Sequence, residues 1–277
     1  MKRICAITMV RNDGFFLRKW VEYYGSILGR GNLYVIFDGK DQQIPDFCSG
    51  VNVIVKDRVE GKVVKADKGR IRCISSLARG LMERYDLAIG VDVDEFLVVD
   101  PACGVTLPEY LDSIDIKSTV SGLGVDVGQH LEKESEVDPG KPFLSQRHFG
   151  YLSSRYTKAS VIAGPQRWGS GFHRVKGRNF HIDPNLYLFH FGCVDFRLIE
   201  QKMGDREKIM NGWSRHLRKR VRTIRIITSA RPRRWESTVR IMRLVQTVFR
   251  VIIAPNKPSD MSLRVVVEIP ERFRNTV

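Results

Sequence analysis

The sequence predicts an α/β protein whose sheet is mainly parallel and flanked by helices. Short apolar runs typical of buried strands alternate with longer segments in which apolar residues recur every three or four positions, as on a helix. The order strand, helix, strand near the amino terminus indicates a parallel βαβ unit, because parallel strands need a long crossover connection. Polar residues follow several of these strands, at the edge where such sheets bind ligands.

The first βαβ unit is predicted within residues 4–55. Residues 4–10 form an apolar run, and Asn12 or Asp13 is a candidate N-cap for the helix that follows. That helix has one apolar face, because four large side chains recur at steps of four, three and four: Phe16, Trp20, Tyr23 and Ile27. Further strands are predicted over 33–37 and 51–55.

The next part of the chain continues the alternation. Apolar residues at helical spacing predict a helix over 71–85, which leads to a strand before Asp92. Thr106 and Glu109 have the spacing of a capping box and start another helix near residue 107. Residues 119–150 are rich in Gly, Asp and Glu, and we expect loops with short strands there. Strands then resume at 158–165 and 186–192.

The positive charge of the chain is concentrated at its carboxyl end. The 277 residues carry a net charge of +15, with 26 Lys and Arg against 24 Asp and Glu over 1–195, and 20 against 7 over 196–277. We therefore expect a domain at 1–195 and a basic, largely helical region at 196–277 that associates with an acceptor or a membrane. Within it, helical spacing relates Ile241, Leu244, Val245, Val248, Val251 and Ile252. This pattern is typical of a basic amphipathic helix, lying on anionic lipid or packed onto the domain.

Cysteine spacing and the amino terminus predict a cytoplasmic protein, and the basic carboxyl-terminal region would hold it on the inner face of the plasma membrane. The five cysteines are scattered and include no CxxC pair, so neither a disulfide framework nor a zinc knuckle is indicated. The apolar run 4–10 is too short for a signal peptide. Nor does any stretch approach the roughly 20 apolar residues of a membrane-spanning helix.

Three acidic residues lie within four positions between apolar runs: Asp92, Asp94 and Glu95. A buried carboxylate without a partner is heavily penalised, and alternation along a strand sends Asp92 and Asp94 to the same side. Two hard oxygen ligands suit Mg²⁺ or Mn²⁺. The alternative is an acidic turn that faces water. His190 ends an aromatic strand and would complete the metal site, with His173 as second choice; either could instead be a structural histidine.

These residues resemble the family 2-type glycosyltransferases of the GT-A fold, in particular a bacterial branch labelled glycosyltransferase family 2 or 92. The resemblance covers about residues 4–195, in the order that the family has them. The matching segments are 9–13, 16–24, 35–38, 91–96, 171–173 and 188–191.

The resemblance implies a nucleotide-sugar donor, with a UDP-sugar expected first, an Mn²⁺ or Mg²⁺ ion, and a surface glycan or lipid-linked acceptor. Asp94 would bind the metal on the diphosphate, with His190 or His173 as the added ligand. The residues that would contact the nucleotide sugar are Arg11, Asn12, Asp38, Lys68 or Arg72, and Asp92.

The resemblance also implies inversion at the anomeric carbon, for which a carboxylate must deprotonate the acceptor hydroxyl. The family's usual downstream Glu-Asp pair is not visible in this sequence. Asp126 is our first choice for the catalytic base, and Asp195 is the main alternative. Glu134 and Asp138 lie in the acidic segment that follows residue 128.

Three other functions compete with this one. A phosphatase of the haloacid dehalogenase type is disfavoured, because its acidic pair comes near the amino terminus and is not followed by a residue such as Glu95. A nucleotidyltransferase on a similar fold would need a glycine-rich phosphate loop near residue 10, which the sequence lacks. A basic protein without catalysis would bind nucleic acid or anionic membranes. No nucleic-acid partner is expected, because no recognised nucleic-acid motif accompanies Trp213 and Trp235.

Overall fold

Four parallel strands form the centre of the computed structural model, which describes residues 1–58, 63–178, 180–205, 209–210 and 212–277. The helices are α1 Gly14–Leu28, α2 Val63–Leu81, α3 Leu107–Ser113, α4 Phe196–Gly204, α5 Ser214–Ser229 and α6 Trp235–Val248. The strands are β1 Ile4–Val10, β2 Leu33–Asp38, β3 Asn52–Lys56, β4 Leu87–Gly90, β5 Glu95–Val99, β6 Thr119–Gly128, β7 Phe149–Leu152, β8 Val161–Ala163, β9 Ile182–Cys193, β10 Arg250–Val251, β11 Ala254–Pro258 and β12 Val266–Glu268.

The sheet has a parallel part, formed by β3, β2, β1 and β4, and a mixed part in which most pairs are antiparallel but β6 and β9 are parallel. Its strand order is β12-β7-β6-β8-β4-β1-β2-β3, and β1 pairs in parallel with both β2 and β4. Strand β8 runs antiparallel to β4 and to β6, and β9 joins β6 to β5. The predicted α/β class, with a parallel central sheet between helices, is confirmed. Among the described helices, none is long and apolar enough to cross a membrane.

The predicted apolar face of α1 and the predicted capping box of α3 are both present in the structure. Phe16 and Trp20 of α1 are buried in the core, and Tyr23 and Ile27 are half-buried and pack against the same core, so the predicted apolar face of this helix is confirmed. Thr106 and Glu109 form the capping box at the start of α3, each bonding the backbone of the other. Asp13 stands at the N-cap of α1, but its side chain makes no capping hydrogen bond.

The prediction of loops with short strands over 119–150 is wrong for β6. This strand has ten buried residues and lies inside the sheet, beside β7, β8 and β9. The glycines of this strand were interpreted as loop residues. At Gly124, however, a neighbouring segment packs directly against the strand, and a Cβ at this position would meet the backbone of Tyr156 and Thr157. The space left by a missing side chain therefore admits a neighbouring segment.

Residues 196–277 share the core of the preceding chain. Trp235, Val239 and Phe273 belong to the same cluster of buried side chains as α1 and the central strands. Strand β12 extends the sheet by pairing with β7, and Arg272 forms an ion pair with Asp100 at 2.6 Å. The predicted amphipathic helix ends at Val248, so the expectation that it continues to Ile252 is wrong; a β10–β11 hairpin follows.

The close approach at Gly124 predicts a stability effect. We expect Gly124→Ala to lower the free energy of unfolding by about 1–3 kcal/mol, because backbone atoms must shift to accept the methyl group. Gly80→Ala in α2 is the control, since a Cβ there meets nothing within 4 Å and alanine favours helix. Urea unfolding followed by circular dichroism measures both. Equal stability of the two variants would contradict the packing at Gly124.

Candidate active site

The carboxyl ends of β1, β2 and β4 bring the predicted polar residues to one edge of the sheet. Asp92 follows β4 and is held by two cations. Arg70 of α2 donates to one carboxylate oxygen at 2.5 Å, and Lys158, which precedes β8, donates to the other at 2.7 Å. Although burial opposes ionisation, these two cations keep the pKa of Asp92 below its usual range. Asp92 is therefore a compensated carboxylate.

Asp94 lies in a second set of charged groups. Arg220 of α5 donates to its Oδ2 at 2.9 Å, and Nε2 of His190 lies 3.3 Å from the same oxygen. The other ring nitrogen of His190 lies 2.7 Å from Oδ1 of Asp126 on β6. Tyr156 stacks on the imidazole, with 3.7 Å between ring centroids. This arrangement fixes the ring between two carboxylates.

Protonation follows from these contacts. Burial lowers the pKa of His190, but Asp94 and Asp126 outweigh burial and raise it to about 9. At neutral pH the ring is then an imidazolium that donates to both carboxylates. The pKa of Asp94 is held well below its usual range, against the effect of burial, by His190 and Arg220.

Glu95 and His173 lie beside Lys158 and titrate differently. Glu95 is fully buried, within 2.5 Å of the Lys158 Nζ, and accepts a hydrogen bond from the backbone of Asp92 at 3.1 Å. Burial raises the pKa of Glu95 to about 7, even though Lys158 opposes the shift. Burial and the charge of Lys158 lower the pKa of His173 to about 3, so this imidazole is neutral.

The two carboxylates do not form a metal site in this arrangement. Within the described ranges, no group of three or more His, Cys, Asp or Glu side chains is placed to hold a metal ion. Oδ2 of Asp94 is taken by Arg220 and His190, and a doubly protonated imidazole has no lone pair for a metal. Mn²⁺ or Mg²⁺ at Asp94 stays a prediction, and binding through Oδ2 would require both partners to move.

Cations from the carboxyl-terminal region reach the site through α4 and α5. Lys202 of α4 forms an ion pair with Asp13 at 2.8 Å, and Arg220 enters beside β9. Gly192 makes room for it, because a Cβ there would lie 2.6 Å from Cζ of Arg220 and 2.5 Å from Cε1 of His190. The basic region is therefore part of the site and not a separate surface.

The predicted nucleotide-binding residues fall into two groups. Arg11 donates to the Asp38 carbonyl at 2.8 Å and pairs with Asp41, and Asn12 lies exposed next to it, at the ends of β1 and β2. Lys68 and Arg72 are exposed on α2. Between these two positions, Arg70 is the residue that the helix directs to the site, where it bonds Asp92.

Both predicted bases have other partners. Asp126 is buried and bonded to His190, as described above. Asp195 is buried at the N-cap of α4, where it accepts hydrogen bonds from the backbone N–H groups of Arg197 and Val137, each at 2.8 Å. A catalytic role for either residue stays a prediction. The geometry indicates that Asp195 holds α4 in place.

Sequence reasoning missed the cations. It recognised that buried carboxylates need a partner, but it named a metal where the structure has Arg70, Lys158 and Arg220. One signal was present: Lys158 lies three positions before Val161, the first residue of β8, and a lysine so close to a buried strand needs an anionic partner of its own.

Of the comparisons with known proteins, only the one with solved structures found similar proteins. No protein-family model matches the chain, and no curated protein matches it. The apo bifunctional glycosyltransferase WbbM is 15% identical over 45% of this chain and 23% of its own, with a TM-score of 0.27. A mannose-1-phosphate geranyltransferase from Thermus thermophilus is 9% identical over 96% of this chain and 74% of its own, with a TM-score of 0.29.

A third similar structure is the galactosyltransferase LgtC in complex with donor and acceptor sugar analogues. It is 11% identical over 58% of this chain and 57% of its own, with a TM-score of 0.27. The chain thus spans about a quarter of WbbM and just over half of LgtC. At these TM-scores the likeness carries no argument about activity, which has to be inferred from the site.

The contacts of Asp195 predict a structural role. We expect Asp195→Ala to lower the free energy of unfolding by about 1–2 kcal/mol, because α4 loses its cap and a buried N–H loses its acceptor. The control is Asp115→Ala, which removes an exposed carboxylate. Urea unfolding measures both variants. An Asp195→Ala protein as stable as the parent would contradict this structural role.

Proposed function

We propose that the protein is a glycosyltransferase of the GT-A, family 2 type, which transfers a sugar from a nucleotide-sugar donor to a surface glycan or glycolipid acceptor. The observation that carries the proposal is the cluster of charges beyond the parallel strands. Two carboxylates after β4 are flanked by one buried and two half-buried cations from three parts of the chain. Open α/β sheets bind phosphorylated ligands at this edge.

The chemistry of the donor explains the need for cations. When the bond between sugar and phosphate breaks, the nucleoside diphosphate leaves with growing negative charge, which the site must neutralise. Arg220 and Arg70 carry planar guanidinium groups that bind phosphate oxygens in pairs, and Lys158 adds a point charge. We propose that these three side chains neutralise the leaving diphosphate.

Other residues would bind the rest of the donor. Arg11, Asn12 and Asp38 lie at the ends of β1 and β2, where we place the base and ribose, and Asp92 would lie near the ribose. His190 and Asp126 are positioning residues in this proposal, because Asp126 hydrogen-bonds His190, which forms an ion pair with Asp94. Lys68 and Arg72 would contact the nucleotide only from the exposed face of α2.

A divalent cation is a second way to neutralise the diphosphate. The resemblance implies Mn²⁺ or Mg²⁺ on Asp94, with His190 or His173 as a further ligand. His190 lies 3.3 Å from Oδ2 of Asp94, and its ring would have to lose a proton to bind a metal. The metal and the protein cations predict different behaviour in a chelator, so a binding experiment can separate them.

The decisive measurement is calorimetric binding of UDP, in EDTA and then in Mn²⁺. If the protein cations hold the diphosphate, UDP binds in EDTA, and Arg220→Gln weakens binding at least about tenfold because charge-assisted hydrogen bonds are lost. Arg220→Lys keeps the charge and should retain part of the affinity. Arg218→Gln, an exposed arginine of the same helix, is the matched control and should bind as the parent does.

Two other outcomes of this measurement would change or reject the proposal. Binding that requires Mn²⁺ and disappears in Asp94→Asn would support the metal and reject neutralisation by the protein cations. Circular dichroism of each variant shows whether the fold survives the loss of a buried charge. If folded protein bound neither UDP, GDP, CMP nor dTDP under either condition, the proposed transfer reaction would be rejected.

A further inference from the structure

The carboxyl-terminal region exposes an unusual number of large apolar side chains in one short segment. Six of them are more than half exposed, with exposed fractions between 54% and 97%. They form what we call the 241–253 patch: Ile241, Leu244, Val248, Phe249, Ile252 and Ile253. Isolated surface hydrophobics are common, but a contiguous group of this kind indicates an interaction site.

The helical part of the patch lies opposite the buried face of α6. Ile241, Leu244 and Val248 follow one another at steps of three and four, so they form one stripe. The core instead receives Val239 and Met242. The helix therefore carries a second apolar stripe that folding of this chain does not use.

The rest of the patch projects from the β10–β11 hairpin. Val251 pairs with Ala254, so Ile252 and Ile253 form the turn, and they are 97% and 92% exposed. Two-residue hairpin turns prefer Gly, Asn or Asp, since these residues adopt the required backbone angles and tolerate water. Two isoleucines at such a tip form a convex apolar projection, which fits a lipid layer and not a partner that must fill a groove.

Basic side chains lie on the same two elements as the patch. Arg240 is exposed on the same face of α6 as Ile241 and Leu244, and Lys257 lies half-buried on β11. The whole region from 196 onward has 20 Lys and Arg against 7 Asp and Glu. Apolar side chains beside basic ones are the composition that binds anionic membrane surfaces, where arginine and lysine attract the headgroups.

We propose that the 241–253 patch docks the protein on an anionic bilayer, with Ile252 and Ile253 inserted at the level of the headgroups. The two elements that carry the patch, α6 and the β10–β11 hairpin, also contact segments near the candidate active site through residues outside the patch. Gln246 of α6 accepts a hydrogen bond from Thr157, next to Lys158, at 2.5 Å, and Asn256 of β11 donates to the carbonyl of Val175 at 2.7 Å. Docking does not depend on the proposed transfer reaction.

Flotation of the full chain with vesicles tests the proposal. The vesicles are phosphatidylcholine with and without phosphatidylglycerol, at low salt. We expect binding to the anionic vesicles only, and binding at least about tenfold weaker for the double variant Ile252→Glu, Ile253→Glu. The matched control is Ile44→Glu with Val55→Glu, which adds the same negative charge at exposed apolar positions elsewhere and should bind as the parent does.

The outcomes separate insertion from charge alone. Equal loss of binding in the tip variant and the control would show that net charge governs attachment, which would overturn insertion of the hairpin. Failure of the parent protein to float with either vesicle would overturn membrane docking altogether. Thermal unfolding of all three proteins confirms that the substitutions leave the fold intact. Nucleotide binding by the tip variant should be unchanged, which keeps this test separate from that of the transfer reaction.

Discussion

The fold depends on compensating the negative charge that follows β4. Asp92 and Asp94 follow β4, where the parallel part of the sheet meets the mixed part, and uncompensated carboxylates there would be heavily penalised. Their partners come from α2, from the segment before β8, from β9 and from α5. One electrostatic requirement therefore ties together parts of the chain that share no local contact, and it makes the basic carboxyl-terminal region necessary to the site.

Sequence patterns predicted the elements whose signals are local. The apolar face of α1 and the capping box of α3 depend on residues within one or two helical turns, so the sequence alone identifies them. Strand β6 was missed because the meaning of a glycine depends on what packs against it. From the sequence alone, Gly124 favours a loop; only the structure shows that the backbone of Tyr156 and Thr157 packs against it.

The candidate site was predictable in its acids and not in its cations. Asp92 and Asp94 lie between apolar runs. This pattern predicted that they follow a buried strand and that their carboxylates need a partner. The partners lie 22, 66 and 126 positions away along the chain, for Arg70, Lys158 and Arg220 respectively. No periodicity spans such separations. Even on α2, choosing Arg70 over Lys68 or Arg72 requires the rotation of the helix relative to the sheet, which follows from packing.

The carboxyl-terminal region shows why an amphipathic pattern does not determine what a helix contacts. The sequence allowed α6 to lie on lipid or to pack on the domain, and the structure gives the helix two apolar stripes. Val239 and Met242 satisfy the core, so the exposed stripe adds nothing to the stability of the isolated chain and needs another environment. Because α5 brings Arg220 to Asp94 while α6 carries the patch, one basic region would serve both the bound diphosphate and the membrane surface. The basic residues after residue 195 would then have two separable roles: binding the diphosphate inside the site and attracting anionic lipid outside it.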